Sequence, residues 1–213
     1  MSKLRVHALS TSLDGCIAGP SQDEANPLGV GGEQLHEWIF ATRTGRAMIG
    51  QEGGGVGIDD DFVAAGFEGI GATIMGRNMF GPVRDDWDSP VWTGWWGEDP
   101  PFHHDVFVLT HHPRPSLPMA SGTTFHFVAD GASAALELAR DAAGRSDVRL
   151  GGGASTIREY LELGVVDEMH VAVVPVLLGA GERLFEFSRW PEDYRCESFV
   201  ATEHAAHFRL VPR

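Results

Sequence analysis

Three stretches of the chain place small or anion-binding residues where an apolar strand runs into a turn: "LGGGAST" at 150–156, "IMGRNMF" at 74–80 and "VLTHHP" at 108–113. In the first, Gly151, Gly152 and Gly153 leave the main chain bare ahead of a helix that opens near Ala154, with hydroxyls on Ser155 and Thr156. Free amides and the positive end of a helix dipole suit such a corner to a phosphate or pyrophosphate. A tight strand-to-helix turn asks for the same glycines, so the residues alone leave both readings open. The pattern is not GxGxxG, and it lacks the lysine of the nucleoside-triphosphate loop. In the second stretch Gly76 ends a strand, and Arg77 with Asn78 opens a helix. A guanidinium and free amides could grip another phosphate there, or simply form a surface cap. Thr110, His111 and His112 lie at a third strand end. The pairs His103/His104 and His111/His112 do not have metal-ligand spacing, so no metal site is expected.

A different chemistry is suggested by "RDDWDSPVWTGWWGEDPPFHH", where Trp87, Trp92, Trp95 and Trp96 are four of the chain's six tryptophans. Aromatic faces pair with planar rings, so Trp95 and Trp96 could close over a heteroaromatic substrate. The same residues could instead plug a hydrophobic surface or a subunit contact. Tryptophans in a loop of this length argue against disorder.

The elements that must position these groups follow from the hydrophobic pattern. Strands are expected over 4–9, across "GATIM" and "DVFVL", over "TTFHFVA" and "DVRL", and along "VDEMHVAVVPVLLG". Helices are expected over 32–44, "DDDFVAAGFEGI", 131–143 and "GASTIREYLELG", the last closed by Gly164 as a carboxyl cap. The stretch 82–104 reads as a long loop, and "YRCESFVAT" with "HAAHFRLVPR" as a closing antiparallel hairpin. Alternating strands and helices predict a single three-layer α/β domain over residues 1–213. Its central sheet would be mostly parallel, with an antiparallel carboxyl-terminal edge. In such sheets ligands bind beyond the carboxyl ends of the strands, and each glycine-rich turn lies at such an end.

The chain has 213 residues, 43% hydrophobic and 22% charged, the make-up of an ordinary soluble globular protein. Sixteen basic against 30 acidic residues give a formal charge of −14. That field repels polyanions, so nucleic acid is not expected as a partner. No apolar run approaches the roughly 20 residues of a membrane span, and the amino terminus lacks a signal peptide's apolar core. Cys16 and Cys196, with no CxxC, fit a reduced cytoplasmic compartment.

"SLDGCIAG", "IMGRNMF", "VFVLTHHP", "VRLGGGAST" and "VVPVLLGAGERLF", in this order and spacing, resemble the dihydrofolate-reductase-like superfamily. More closely, the chain is similar nearly end to end to the riboflavin-biosynthesis reductase domain and its stand-alone bacterial relatives. The resemblance implies NADPH bound in an extended pose across the strand ends, and hydride transfer to a small heterocyclic or carbonyl substrate. It places Gly151, Gly152, Gly153, Ala154 and Ser155 at the pyrophosphate and nicotinamide side, and Gly76, Arg77, Asn78 and Thr110 at the adenosine end. Arg77 would pair with the 2′-phosphate. Ser10, Asp14 and Ile17 would wrap the nicotinamide, with Asp14 also a candidate catalytic group. Trp38 and Pro175 would border the substrate, and Pro175 to Gly181 would shape the pocket. Glu37 and His36 are the candidate proton donors, with Glu33 nearby. A homodimer is implied. Two departures stand out: Met79 replaces the threonine that dihydrofolate reductases carry two residues after this arginine, and no basic cluster awaits a ribosyl phosphate. A cofactor-binding protein of the same fold without catalysis is the alternative.

Overall fold

The computed structural model describes residues 2–81, 87, 92–186 and 194–213. In chain order the elements begin with β1 (Leu4–Ser12), β2 (Cys16–Ala18), a 3-10 turn (Gly32–His36), α1 (Glu37–Phe40), α2 (Arg43–Met48) and α3 (Ile58–Ala65). Next come β3 (Ile70–Gly76), α4 (Arg77–Phe80), β4 (Asp105–Leu109), β5 (Leu117–Pro118), β6 (Thr124–Val128) and α5 (Ala132–Ala143). The chain continues through β7 (Asp147–Gly152), α6 (Ala154–Glu162), β8 (Glu168–Val174), β9 (Glu182–Arg183), β10 (Tyr194–Ala201) and β11 (Ala206–Pro212). Residues divide into two compact units, one of 1–5 with 69–165, the other of 6–68 with 166–213.

In the first unit the strands lie in the order β7-β3-β4-β6-β5. The pairs β7–β3, β3–β4 and β4–β6 are parallel, and the short edge strand β5 is antiparallel to β6. β3 from Ala72 onward and the middle of β4 are buried continuously, which is why they read as mainly apolar runs rather than alternating ones. α5 packs on β3 and β4 through Ala132, Ala135, Leu136, Ala139 and Ala143, one helical face of mostly small side chains. α6 buries Ala154, Ile157, Tyr160 and Leu161, and the Tyr160 hydroxyl donates to the Ala132 carbonyl at 2.8 Å. The opposite sheet face carries an aromatic cluster of Phe80, Phe102 and Phe125 with Met75, Val106 and Val108.

In the second unit the order is β10-β11-β8-β1, with β10, β11 and β8 antiparallel as neighbours. β2 and β9 form a separate two-stranded sheet. The fold is thus α/β, a mostly parallel sheet with antiparallel carboxyl-terminal strands. Two expectations needed correcting here. The helix expected over 32–44 is a 3-10 turn followed by α1 and α2, broken at Thr42, whose backbone is extended (ψ 161°) and whose hydroxyl accepts from Gly45 N–H at 2.9 Å. Threonine competes for its own backbone in this way and starts a new helix instead of continuing the old one. The long strand expected through Gly179 stops at Val174, because Pro175 has no N–H for the ladder. Of the loop expected over 82–104, residues 82–86 and 88–91 lie outside the described ones.

Candidate active site

The parallel register of the first unit brings three corners together. Gly76 pairs with Leu109, and Met75 with Gly152, so the carboxyl ends of β7, β3 and β4 lie side by side. β3 passes directly into α4 at Arg77, β4 into Thr110, and β7 through Gly153 into α6. Each glycine here has a separate reason. A Cβ at Gly76 would collide with Thr156 Oγ1, and one at Gly151 would stand 3.2 Å from the Met79 methyl carbon. Gly152 has φ 142°, a backbone that side chains rarely tolerate, and its peptide bond to Gly153 is cis. Gly153 faces open space, with nothing within 4 Å of where a Cβ would stand. It also precedes α6 without capping that helix by a side chain. Gly153 is half-buried, and it stands beside the first-turn amides of Ala154 and Ser155, to which, lacking a side chain, it supplies no cap.

Arg77 is buried, and its guanidinium donates to Thr110 Oγ1 at 3.3 Å. The same guanidinium lies 3.8 Å from the centre of the Trp87 ring, and that of Arg114 lies 4.8 Å from the same centre. Trp87 Nε1 donates to the His112 carbonyl at 2.6 Å. Asn78 is exposed on α4. Met79, the departure at the threonine position, fills the space against Gly151 and Gly152. The tryptophans serve largely as packing. Trp92 donates to the Phe80 carbonyl and packs edge-on to Trp95, while Trp96 stacks on Phe125 and meets Phe102 edge-on.

The remaining site candidates belong to the second unit. Trp38 is only 2% exposed; it donates through Nε1 to Ser10 Oγ at 2.8 Å and packs edge-on to His170 and His207. Its indole is taken up by the core and by Ser10. Asp14 is held as an ionised hydrogen-bond acceptor. Its carboxylate accepts from Ser12 Oγ at 2.6 Å and from the amides of Leu178 and Gly179 at 3.1 and 2.7 Å. These bonds, the Ser12 hydroxyl foremost, lower its pKa to about 2, so it is ionised throughout the neutral range. Arg183 in turn donates to the Asp14 carbonyl at 2.6 Å. Asp14 is thus the clamp between the turn after β1 and the glycine turn after β8. That second glycine-rich turn is architecture: a Cβ at Gly181 would strike the Ala18 carbonyl.

Ile17 is half-buried in β2, Pro175 is exposed just past β8, and Glu37 is exposed at the start of α1. His36 is half-buried, its Nδ1 sealed from solvent without a hydrogen-bond partner among the described residues. Burial lowers its pKa, so its imidazole is neutral at neutral pH.

A buried histidine ladder escaped the sequence reading. His170 Nδ1 accepts from Ala8 N–H at 3.1 Å, His170 Nε2 meets His207 Nδ1 at 3.0 Å, and His207 Nε2 meets Asp59 Oδ1 at 2.8 Å. The fixed amide at one end and the carboxylate at the other run the tautomers in one direction, each Nε2 carrying the hydrogen. Phe62 stacks on both rings, at 4.3 and 4.4 Å. The available signal was a histidine in each of two mainly apolar strands, "EMHVAV" and "AHFRL".

Among the described residues no group of three or more His, Cys, Asp or Glu could hold a metal ion, and no helix is long and apolar enough to cross a membrane. The family model for the RibD C-terminal domain matches residues 6–207. The chain belongs to that family. No curated protein matches it significantly. Among solved structures it is similar to a putative riboflavin biosynthesis protein from Shewanella sp. PV-4. The TM-score is 0.62 at 20% identity, covering 100% of this chain and 99% of that one. It is also similar to a pyrimidine reductase-like protein from Corynebacterium diphtheriae, with TM-score 0.55 at 14% identity, covering 100% and 92%. A third likeness is to the diaminohydroxyphosphoribosylaminopyrimidine deaminase/5-amino-6-(5-phosphoribosylamino)uracil reductase of Thermotoga maritima. There the TM-score is 0.55 at 12% identity, and this chain spans 57% of that longer protein. At these identities the likenesses show the fold. Family membership shows a riboflavin-biosynthesis-type reductase domain.

Proposed function

We propose that this RibD-type domain is an NADPH-dependent reductase of a small heterocyclic or carbonyl substrate. The observation that carries the reading is the convergence of three parallel strand ends in the first unit, bearing Gly153, Arg77 and Thr110. These residues fit an anionic dinucleotide. Gly153 leaves space for close approach to the main chain, and α6 presents uncapped amides to a pyrophosphate. Arg77, oriented by Thr110 and Trp87, supplies a fixed cation of the kind that a 2′-phosphate pairs with. When bound, NADPH would supply the hydride; the protein binds, orients and excludes water. Of the proton-donor candidates, Asp14 is withdrawn by its acidity and His36 is held neutral, which leaves Glu37 or solvent. That thin supply of acids favours one rival, a cofactor-binding protein of this fold without turnover.

Calorimetric titration with NADPH and NADH, followed by NADPH consumption over pterin, aminopyrimidine and quinone-like substrates, tests both readings. Micromolar NADPH binding with turnover that Glu37→Gln slows is the expected result. No binding at millimolar NADPH removes the reductase reading, and tight binding without turnover favours the rival. A small-molecule substrate, a homodimer and a cytoplasmic setting accompany the proposal. Sedimentation at micromolar concentration checks the dimer.

A further inference from the structure

Asp105, Ser116 and His126 lie apart from the strand-end corners, at the outer part of the first unit's sheet. Register brings them together. His126 on β6 pairs with Phe107 of β4, two residues along from Asp105. β5 pairs Leu117 with Phe125 and Pro118 with Thr124, so Ser116, just before β5, meets His126. Phe125 points into the aromatic cluster, and alternation turns His126 to the opposite face. There His126 Nε2 is 2.9 Å from Asp105 Oδ1, and His126 Nδ1 is 3.0 Å from Ser116 Oγ. Phe107, buried beneath, stacks on the imidazole at 5.0 Å and 21° and fixes its plane.

The chemistry of this row is directional. The Asp105 carboxylate can only accept, so it assigns the hydrogen to Nε2 and leaves the lone pair on Nδ1. Nδ1 therefore accepts the Ser116 hydroxyl proton. Nucleophile, base and orienting carboxylate stand in hydrogen-bond sequence, which is the arrangement that activates a serine whatever the surrounding fold. Ser116 is exposed and His126 half-buried, so an electrophile can reach the hydroxyl. β5 is the outer strand of this sheet, and alternation turns the amide of either Ser116 or Leu117 away from β6, where it can face a developing oxyanion.

We infer that Ser116 is an activated nucleophile that takes acyl groups from small carboxylic esters. Ser116 Oγ bonds to the ester carbonyl carbon as its proton passes to His126 Nδ1. The ester C–O bond then breaks, and the leaving alcohol or phenol oxygen takes that proton. Water attacks the acyl-serine through the same imidazole, giving the carboxylic acid and the free hydroxyl. Asp105 is a positioning residue in this scheme.

The full chain, with no cofactor added, is treated with p-nitrophenyl acetate, and acetylated peptides are mapped by mass spectrometry. The expected result is one acetyl group on Ser116, formed at least about tenfold more slowly in His126→Gln, as loss of a general base requires. Asp105→Asn should slow it several-fold and shift the His126 imidazole ¹⁵N resonances away from the Nε2–H tautomer. A purely structural aspartate would leave that spectrum unchanged. The inference is overturned if Ser116 carries no acetyl group, or if His126→Gln is acetylated as fast as the wild type. Should either variant fail to fold, the adduct map of the unmodified protein still decides, because a solvated, unactivated serine is not singled out among the chain's other hydroxyls.

Discussion

The two compact units handle their polar groups in opposite ways. In the first, parallel strands end in residues whose main chain stays open: Gly153 faces empty space, and α6 begins without a side-chain cap. In the second, several polar groups are consumed internally. Ser10 accepts from Trp38, Asp14 is taken by two amides and a hydroxyl, and His170 and His207 run in a closed row to Asp59. Parallel strands all finish at the same end, so helix amino termini and bare turns gather there. Antiparallel neighbours finish at alternate ends, and their polar side chains are matched across the ladder instead. Open polar groups point to ligand binding and matched ones to stability, which is the sense in which the units differ.

Removing Trp38 should hurt most. Trp38→Ala empties a core site against Val63, Ala172 and Val174 and leaves the buried Ser10 hydroxyl unmatched, costing about 3–5 kcal/mol of unfolding free energy. Denaturant unfolding measures it, and a loss below about 1 kcal/mol would place the indole outside the core. Arg77→Ala should come next, now in binding rather than stability. Loss of a charge-assisted contact worth about 1.5–3 kcal/mol weakens NADPH by roughly ten- to a hundredfold, with NADH much less affected. Equal losses for both nucleotides would show that Arg77 does not read the 2′-phosphate.

A further expected effect is a pH slope. Burial, then the neighbouring His7 and His207, lowers His170 to about 2, and burial, then Arg149, lowers His104 to about 4, both from 6.5. In each case the unfolded chain binds a proton that the folded chain refuses. Stability is therefore full above pH 6.5 and falls as the pH drops below it, down to about 4 for His104 and further for His170. Unfolding between pH 6 and pH 4 should take up about two protons from this pair, and about one in His104→Gln. A flat stability curve over that range would mean that the ladder is not sealed from water.

Much of the first unit was legible in the chain. Mainly apolar runs over 70–76 and 105–109 announce strands buried on both faces, and Gly151–Gly153 between such a run and an amphipathic helix announces the open corner. The second unit was less so, since its key partners are far apart. Asp14 became intelligible only beside Leu178 and Gly179, more than 160 residues on. The substrate role of Trp38 came from the family resemblance, and only the packing shows its indole spent on Ser10 and the core.

The sequence by itself determined the element types, the parallel middle, the antiparallel close and the positions of the bare turns. All of these follow from local hydrophobic period and from glycine, whose freedom needs no partner. Only the tertiary structure decided which polar side chains remain available. Whether Ser10, Asp14 or Ser116 is spent or free depends on strand register, and register is set by the packing of the whole sheet rather than by any residue's neighbours in the chain.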